Sequence, residues 1–179
     1  QERIGKTGIL NQIAPTVTAD IIVFTDANTM HAKESLKCLV AGFADPLVGA
    51  VAGHIDHAVR DSAQSEERLY RSFESRQKRH EALLHSTISA FGGYYAVRRG
   101  LFRPIPDNAY SNDDVLIPMN VVRRGRRVWF EARAVSYEDT TEQLGAEFQR
   151  RVRIGAGNYQ SLVWLMDFFS PFRGWPAFC

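Results

Sequence analysis

The chain has 179 residues, of which 45% are hydrophobic and 23% charged, a composition typical of one globular domain with a substantial core. Lysine and arginine number 22 against 20 for aspartate and glutamate, so the net charge of +2 argues neither for nor against a nucleic-acid partner. No apolar run reaches the ~18–20 residues that span a bilayer, and no signal peptide opens the chain. The two cysteines, Cys38 and Cys179, favour a reducing setting and suggest neither a disulfide framework nor a cysteine metal site.

Strand-like and helix-like segments alternate along the chain. Short continuous apolar runs predict strands, and apolar residues spaced three and four apart predict helices. The predicted elements are helix 8–14, strand 20–24, helix 32–43, strand 48–55, helix 64–85, strand 89–97, helix 113–124, strands 126–132 and 134–138, and a helix that follows Thr141. This order indicates an α/β domain with a mainly parallel sheet flanked by helices, in which ligands lie beyond the carboxyl ends of the strands.

The first predicted strand ends in an acid and an amide. In "IIVFTDANT", Asp26 and Asn28 are two residues apart at the carboxyl end of the strand. Their oxygens are ligands that Mg²⁺ or Mn²⁺ prefers, and such ions share their coordination shell with substrate phosphates. The alternative is that either residue caps the next helix, and the D-x-N pattern by itself leaves both interpretations open.

Two adjacent acids, Asp113 and Asp114, begin the helix predicted over 113–124, with Ser111 or Asn112 as its cap and Gly125 at its end. Carboxylates in a first turn commonly complement the helix dipole. Adjacent carboxylates also raise each other's pKa, and a desolvated carboxylate with a raised pKa suits a general base. Both interpretations stand at this point.

Two further segments carry basic residues of interest. In "EFQRRVRIGAG", Arg150 and Arg153 share a helix face, either as a solvated surface or as guanidinium groups that grip a diphosphate. In "IGKTG", Lys6 follows a glycine in a pattern similar to the tail of a phosphate-binding loop. A third feature, the pair Gly92–Gly93 inside a predicted strand, indicates close approach of the backbone to another group.

The segment around Asp26 resembles the first motif of haloacid-dehalogenase-like phosphatases, four apolar residues followed by D-x-D-x-T. In that family the first Asp is the nucleophile and the second is the general acid. Asn28 stands at the second position, and an amide cannot donate a proton in that role. A phosphatase-like hydrolase, with "NDD" as its later acidic motif, is therefore one alternative.

The chain resembles the catalytic domain of glycosyltransferase family 2, of the polysaccharide-synthase-like kind, nearly from end to end. Six blocks occur in the family's order: "GKTGILN", "VFTDANTM", "FADPLVGAVAG", "FGGYYAVRRGLF", "DDVLIPMNVVRRG" and "RRVRI". The resemblance implies a GT-A fold, truncated at both ends and without its first strand or strands. It also implies a divalent cation, Mg²⁺ or Mn²⁺, as cofactor.

Carried over position by position, the resemblance implies a role for each candidate residue on the donor side. Asp26 would contact the nucleotide or the metal-bound diphosphate, and Asn28 would stand at the metal-ligand position beside it. Arg153 would lie near the donor diphosphate, together with Lys6 and Arg150.

On the acceptor side, Asp114 would be the general base that deprotonates the acceptor hydroxyl, with Asp113 beside it, and Gly92 and Gly93 would border the acceptor. One base and one displacement imply inversion at the anomeric carbon. The departures from the family's pattern are Asn28 in place of an acid, Arg150 in place of Gln and Ile154 in place of Trp.

The resemblance implies an inverting glycosyltransferase of the hexosyl or hexosaminyl type, with a UDP-linked sugar as donor and a carbohydrate or lipid-linked acceptor, in polysaccharide synthesis. We expect no nucleic-acid partner. The expected domain is a single partial catalytic domain, in which 1–60 form the metal and nucleotide side, 61–140 the acceptor side with the base, and 141–179 an Arg-rich helix and aromatic interfacial tail. The expected location is the cytoplasmic side of the cell membrane, through segments outside this sequence. A degenerate sugar-binding domain without turnover is the non-enzyme alternative.

Overall fold

The structure is a computed structural model that describes residues 5–57, 65–110, 112–138 and 144–169. Its elements follow the predicted alternation of helices and strands, with one additional short strand. The helices are α1 (Gly5–Ile13), α2 (Ser35–Ala41), α3 (Ser65–Leu84), α4 (Asp113–Val122) and α5 (Leu144–Trp164). The strands are β1 (Ile21–Thr25), β2 (Thr29–His31), β3 (Val48–His57), β4 (Tyr94–Arg98) and β5 (Arg127–Glu138).

The described strands form one five-stranded mixed sheet in the order β1-β4-β3-β5-β2. Only β3 and β5 pair in parallel, whereas β1–β4, β4–β3 and β5–β2 are antiparallel pairs. The expectation of a mainly parallel sheet therefore holds for one of these four pairs. The reason is that α3 and the segment after it return the chain to the end of the sheet where β3 finishes, so β4 runs back along β3.

The directions of the strands bring several chain ends to one edge of the sheet. Because β4 runs antiparallel to both β1 and β3, and β3 is parallel to β5, the strands β1, β3 and β5 all point the same way. Their carboxyl ends lie at the same edge of the sheet as the amino end of β4. This edge receives Asp26 after β1, the glycine pair before β4 and the end of β5 at Glu138.

The core consists of the central strands and the helices packed against them. Strand β4 is buried on both faces from Tyr94 to Val97, as is Val51 in β3 and Val128 in β5. A strand enclosed on both faces has apolar side chains in succession instead of in alternation, which is why "YYAV" reads as a continuous run. Burying such side chains is the dominant favourable contribution to the free energy of folding.

Three predicted elements differ from the structure. The predicted strand 89–97 is shortened to β4 (Tyr94–Arg98), so Gly92 and Gly93 form a turn before the strand instead of lying inside it. The predicted strands 126–132 and 134–138 are one strand, β5, whose register against β3 shifts between the pairs Ala52↔Phe130 and His54↔Val135. The predicted break at Arg133 is therefore a bulge within a continuous strand. Strand β2 was not predicted because it has only three residues and its Met30 is exposed, so no alternation of buried and exposed residues marks it.

Helix α3 forms where it is predicted, but several of its large apolar side chains face outward. Phe73, Leu83 and Leu84 are exposed, while the helix buries Ala82 and Lys78. The periodicity of the apolar residues therefore identifies the helix without identifying its buried face. The buried lysine has consequences that are developed below.

Gly53 in β3 provides a test of the packing between β3 and β4. A Cβ atom at this position would overlap the ring of Tyr94 and lie 3.0 Å from the carbonyl oxygen of Ala134. Gly53→Ala should therefore lower the free energy of unfolding by about 1–3 kcal/mol, the usual cost of overpacking. As the matched control, Gly155→Ala in α5 meets no atom within 4 Å and should raise that free energy by about 0.5–1 kcal/mol, as alanine does in helices. Denaturant unfolding of both variants measures the difference, and equal stabilities would contradict this description.

Candidate active site

The candidate site lies at the edge of the sheet where β1 ends and β4 begins. The backbone N–H of Asp26 donates a hydrogen bond to the carbonyl oxygen of Gly93 at 3.3 Å, so the segment after β1 is attached to the glycine pair. The N–H of Thr29 donates to the carbonyl of Asp26 at 3.1 Å and closes a turn over residues 26–29. This turn holds the Asp26 side chain half-buried and leaves Asn28 exposed two residues on.

Lys6 connects the two acidic segments. Its Nζ atom lies 2.9 Å from Oδ1 of Asp26 and 3.3 Å from Oδ1 of Asp113, and it donates a longer hydrogen bond of 3.5 Å to the carbonyl of Gly92. The lysine sits at the start of α1, directly after Gly5, whose φ of 66° favours glycine. Burial opposes the ammonium charge, but the carboxylates of Asp113 and Asp26 outweigh burial and raise the pKa of Lys6. The site therefore holds a fixed positive charge between two carboxylates.

Asp113 is a buried residue held by two partners. Its side chain is only 3% exposed, and its Oδ2 atom accepts a hydrogen bond of 2.9 Å from the Tyr95 hydroxyl in β4. Lys6 occupies its other oxygen. Burial and the adjacent Asp113 raise the pKa of Tyr95 well above its usual value, so the phenol remains a donor. With both oxygens engaged, Asp113 is suited to orienting its neighbours and not to taking a proton from a substrate.

Asp114 differs from Asp113 in both contacts and charge. Its carboxylate lies against Gly92, where an added Cβ atom would come within 3.3 Å of Oδ2 of Asp114. Its backbone carbonyl accepts a hydrogen bond of 2.8 Å from the N–H of Ala90. Burial, and then the neighbouring Asp113 carboxylate, raise the pKa of Asp114 to about 7. A carboxylate with that pKa is suited to general-base chemistry near neutral pH.

The donor set at Asp26 is compatible with a divalent cation that is shared with a substrate. In the part of the chain that the structure describes, no group of three or more His, Cys, Asp or Glu side chains is placed to hold a metal ion. Asp26 engages Lys6 through Oδ1, and an exposed amide, Asn28, lies on the same turn. Mg²⁺ and Mn²⁺ commonly take one or two protein oxygens and complete their shell with phosphates and water.

The arginines predicted to contact a diphosphate lie in α5. Arg153 is exposed, and within the described residues no hydrogen bond or ion pair joins it to Lys6, Asp26 or the two acids. The side chain of Arg150 lies outside the described residues. The structure therefore assembles Lys6, Asp26, Gly92, Asp113 and Asp114 but does not bring Arg153 into contact with them.

Asn112 attaches α5 to the start of α4. Asn112, one of the two predicted caps, does not cap α4, because its side chain makes no hydrogen bond to that helix. The other predicted cap, Ser111, lies outside the described residues. The buried Asn112 amide instead donates to Oδ1 of Asn158 at 2.9 Å and to Oγ of Ser161 at 3.2 Å. Gly157 of α5 lies beside the Asn112 side chain, one turn beyond Arg153 and on the same face of the helix.

Two residues that contribute to the site were not predicted from the sequence. Tyr95, in the apolar run of β4, orients Asp113, and Lys78, in α3, lies behind the segment that contacts Asp114. Their sequence signals are weak, because a tyrosine in a strand and a lysine in a helix are both common. Only the packing of β4 and α3 against the site distinguishes them.

The fold is that of the GT-A nucleotide-sugar transferases. The mannosyltransferase PcManGT from Pyrobaculum calidifontis, solved in complex with GDP-Man and Mn²⁺, matches 93% of this chain and 45% of its own, with a TM-score of 0.74 and 23% identity. Mannosyl-3-phosphoglycerate synthase from Rubrobacter xylanophilus matches 88% of this chain and 51% of its own, with a TM-score of 0.50 and 14% identity. The predicted GT-A-type α/β fold is confirmed, with a mixed sheet in place of a mainly parallel one.

In sequence, the chain is related to glycosyltransferases. The poly-beta-1,6-N-acetyl-D-glucosamine synthase of Staphylococcus aureus is 25% identical over 178 residues, which cover 97% of this chain and 43% of that protein. The O-antigen chain rhamnosyltransferase RfbN of Salmonella typhimurium is 26% identical over 147 residues, which cover 77% of this chain and 47% of that protein. The chain thus spans less than half the length of these curated relatives. No protein-family model matches it. The predicted resemblance to glycosyltransferases is confirmed.

Among the helices that the structure describes, none combines the length and the apolar character needed to cross a membrane.

Proposed function

We propose that this chain is part of the catalytic domain of an inverting, metal-dependent glycosyltransferase. It would move a sugar from a nucleotide-sugar donor to a carbohydrate or lipid-linked acceptor in polysaccharide synthesis. The observation that carries the proposal is the Asp114 carboxylate beside Gly92, with a pKa of about 7, one residue from an Asp113–Lys6–Asp26 network. The relationship to sugar-polymer glycosyltransferases supports it.

The donor diphosphate would lie at the turn over residues 26–29. Asp26 and Asn28 would hold a Mg²⁺ or Mn²⁺ ion, which, when bound, neutralises the charge that develops on the departing diphosphate. The ammonium group of Lys6, fixed by two carboxylates, adds a second positive charge at the same place. Arg153 and Arg150 would reach the diphosphate from α5 when the donor is bound.

The acceptor would approach along Gly92 and Gly93, and at Gly92 the absence of a side chain leaves room beside the Asp114 carboxylate. Asp114 accepts the proton of the acceptor hydroxyl as that oxygen forms a bond to the anomeric carbon. The bond from the anomeric carbon to the diphosphate oxygen breaks, and its electron pair leaves with the nucleotide. A single displacement inverts the anomeric configuration. Asp113, fixed by Tyr95, keeps Lys6 and the start of α4 in place.

The raised pKa of Asp114 sets the expected pH dependence. Because the base acts in its ionised form and its pKa is about 7, kcat/KM should fall about tenfold per pH unit well below this value and level off above it. The full-length protein assayed from pH 5 to 9 measures this limb. A rate that stays constant down to pH 5 would contradict the assignment of the base.

The stereochemistry of transfer tests the proposed displacement. The full-length protein with a nucleotide-sugar donor, Mn²⁺ and an acceptor should give a product whose anomeric configuration is opposite to that of the donor, as read from proton coupling constants in NMR spectra. Retention of configuration would overturn the single-displacement mechanism. UDP-linked and GDP-linked sugars both belong in the assay, because UDP is a prediction from the resemblance while PcManGT was solved with GDP-Man.

The organisation of the chain is part of the same proposal. Residues 1–60 would form the metal and nucleotide side, 61–140 the acceptor side, and 141–179 the Arg-rich helix and aromatic tail. The location at the cytoplasmic side of the cell membrane likewise remains a prediction. The phosphatase alternative is not favoured, since the relatives are glycosyltransferases and Asn28 cannot supply a proton.

A further inference from the structure

A lysine is buried behind the candidate base. Lys78 in α3 is only 4% exposed, although lysine is rarely buried without a compensating partner. Its Nζ atom donates to Oγ of Ser89 at 2.6 Å and to the carbonyl oxygen of Ser89 at 3.0 Å. It also lies 3.5 Å from Oε1 of Glu74 and 4.9 Å from the centre of the Phe91 ring. Among the described residues, Ser89 and Glu74 are the hydrogen-bonding partners of this ammonium.

The segment held by Lys78 is the one that contacts Asp114. One residue after Ser89, the N–H of Ala90 donates to the backbone carbonyl of Asp114 at 2.8 Å. Two residues further on, Gly92 lies against the Asp114 carboxylate. Residues 89–92 therefore form a short bridge with Lys78 on one side and the proposed base on the other.

Lys78 and Asp114 also influence each other through their charges, in addition to the contacts made by residues 89–92. The charged groups that act on Asp114 are Asp113 from α4, Lys78 from α3 and Lys6 from α1. Those that act on Lys78 are Glu74 and Glu81 from its own helix and Asp114. Burial lowers the pKa of Lys78, and the three carboxylates oppose that change. A positive charge near a buried carboxylate favours its ionised form.

We propose that Lys78 is a positioning residue for the base: it holds residues 89–92 against Asp114, and its positive charge favours the ionised Asp114 carboxylate. This inference rests on the proposed function, since it assigns Lys78 a role in the same reaction. It adds a residue from α3, an element that supplies none of the other site residues. Lys78 itself touches neither donor nor acceptor in this arrangement.

The test compares three variants of the full-length protein over the pH range 5 to 9. Lys78→Met removes the charge at similar length, and Lys78→Arg keeps the charge. Arg79→Gln removes a positive charge from the next, exposed position of the same helix. A shift of about one unit in the pKa of Asp114 would leave roughly a tenth of the base ionised at pH 7 instead of half. Lys78→Met should therefore be about fivefold slower at pH 7 and recover at pH 9, whereas the other two variants keep the parent pH profile.

A merely structural lysine gives a different result. If Lys78→Met lowers the rate equally at every pH, or leaves the profile unmoved, the electrostatic role is overturned. Should Lys78→Met fail to fold, as judged by circular dichroism, Ser89→Ala removes the 2.6 Å hydrogen bond and keeps every charge. Ser89→Ala should lower kcat severalfold without moving the pH limb, and an unchanged kcat would overturn the positioning role. If the parent protein transfers no sugar at any pH, the proposed function itself fails, which is a separate outcome.

Discussion

Asp114→Asn should lower the transfer rate by about 10²- to 10⁴-fold, the usual contribution of a general base. The amide has the size of the carboxylate and cannot accept the proton of the acceptor hydroxyl. The effect should appear in kcat, because the donor site around Asp26 and Lys6 is unchanged. Asp20→Asn alters an exposed acid directly before β1, at the end of the strand opposite to Asp26, so it is the control and should keep the parent rate. Transfer by Asp114→Asn at the parent rate would exclude Asp114 as the base.

The same substitution should leave the protein folded and, at alkaline pH, at least as stable as the parent. The pKa of Asp114 is about 7 in the folded protein, compared with roughly 3.9 in an unfolded chain. Between these values the folded protein holds a proton that the unfolded chain releases, so this group makes stability fall as pH rises. Asparagine does not ionise and removes that penalty. Thermal unfolding at pH 8 and at pH 5 should show a larger gain for Asp114→Asn at pH 8.

Asp26→Ala should weaken the binding of a nucleoside diphosphate in the presence of Mn²⁺ by about 10- to 100-fold, as expected for the loss of a charged contact. In this variant the affinity for the nucleoside diphosphate should be the same with Mn²⁺ as with a chelator, because the proposed ion loses its carboxylate ligand. Lys6 pairs with both Asp26 and Asp113 in the parent protein, and in the variant it would remain paired with Asp113. Isothermal titration with UDP and with GDP, each with and without Mn²⁺, measures both effects.

Asn28→Asp is the matched test of the second proposed ligand. It adds a negative charge at an exposed position of the same turn, so Mn²⁺ should bind more tightly than in the parent. Asn28→Ala should bind the ion more weakly. If both variants bind Mn²⁺ as the parent does, Asn28 is not a ligand, and if Mn²⁺ leaves the parent's affinity for nucleoside diphosphates unchanged, the metal role of Asp26 also fails.

The sequence supports the class of fold and the position of the site because both depend on local patterns. Strand–helix alternation and the acid at the end of "IIVFT" predict an α/β domain with its ligand edge after β1, and the structure has Asp26 at that edge. The pairing of the strands depends on contacts between distant segments. Nothing local to 94–98 indicates that β4 would run antiparallel to both of its neighbours.

The contacts among the site residues could not be predicted from the sequence either, because they also join segments that are distant along the chain. The family resemblance assigns the base to Asp114, but the local pattern of two acids at a helix start does not separate them. Their different contacts come from the packing of Tyr95, Lys6 and Gly92. In the sequence, Lys78 is an ordinary lysine in a helix. Its role follows only from the packing of α3 against the segment before β4. The expected cap at Asn112 failed because α5, distant in sequence, offers its side chain better partners.

The most direct test of glycosyl transfer is the release of nucleoside diphosphate from a panel of UDP- and GDP-linked sugars by the full-length protein. We expect release that requires Mn²⁺ or Mg²⁺, matches the sugar incorporated into acceptor, and is lost in Asp114→Asn. Binding of nucleotide sugars without any release would instead indicate a non-catalytic sugar-binding domain. Release of phosphate from an aryl phosphate, lost in Asp26→Ala, would indicate a phosphatase and contradict the proposed function.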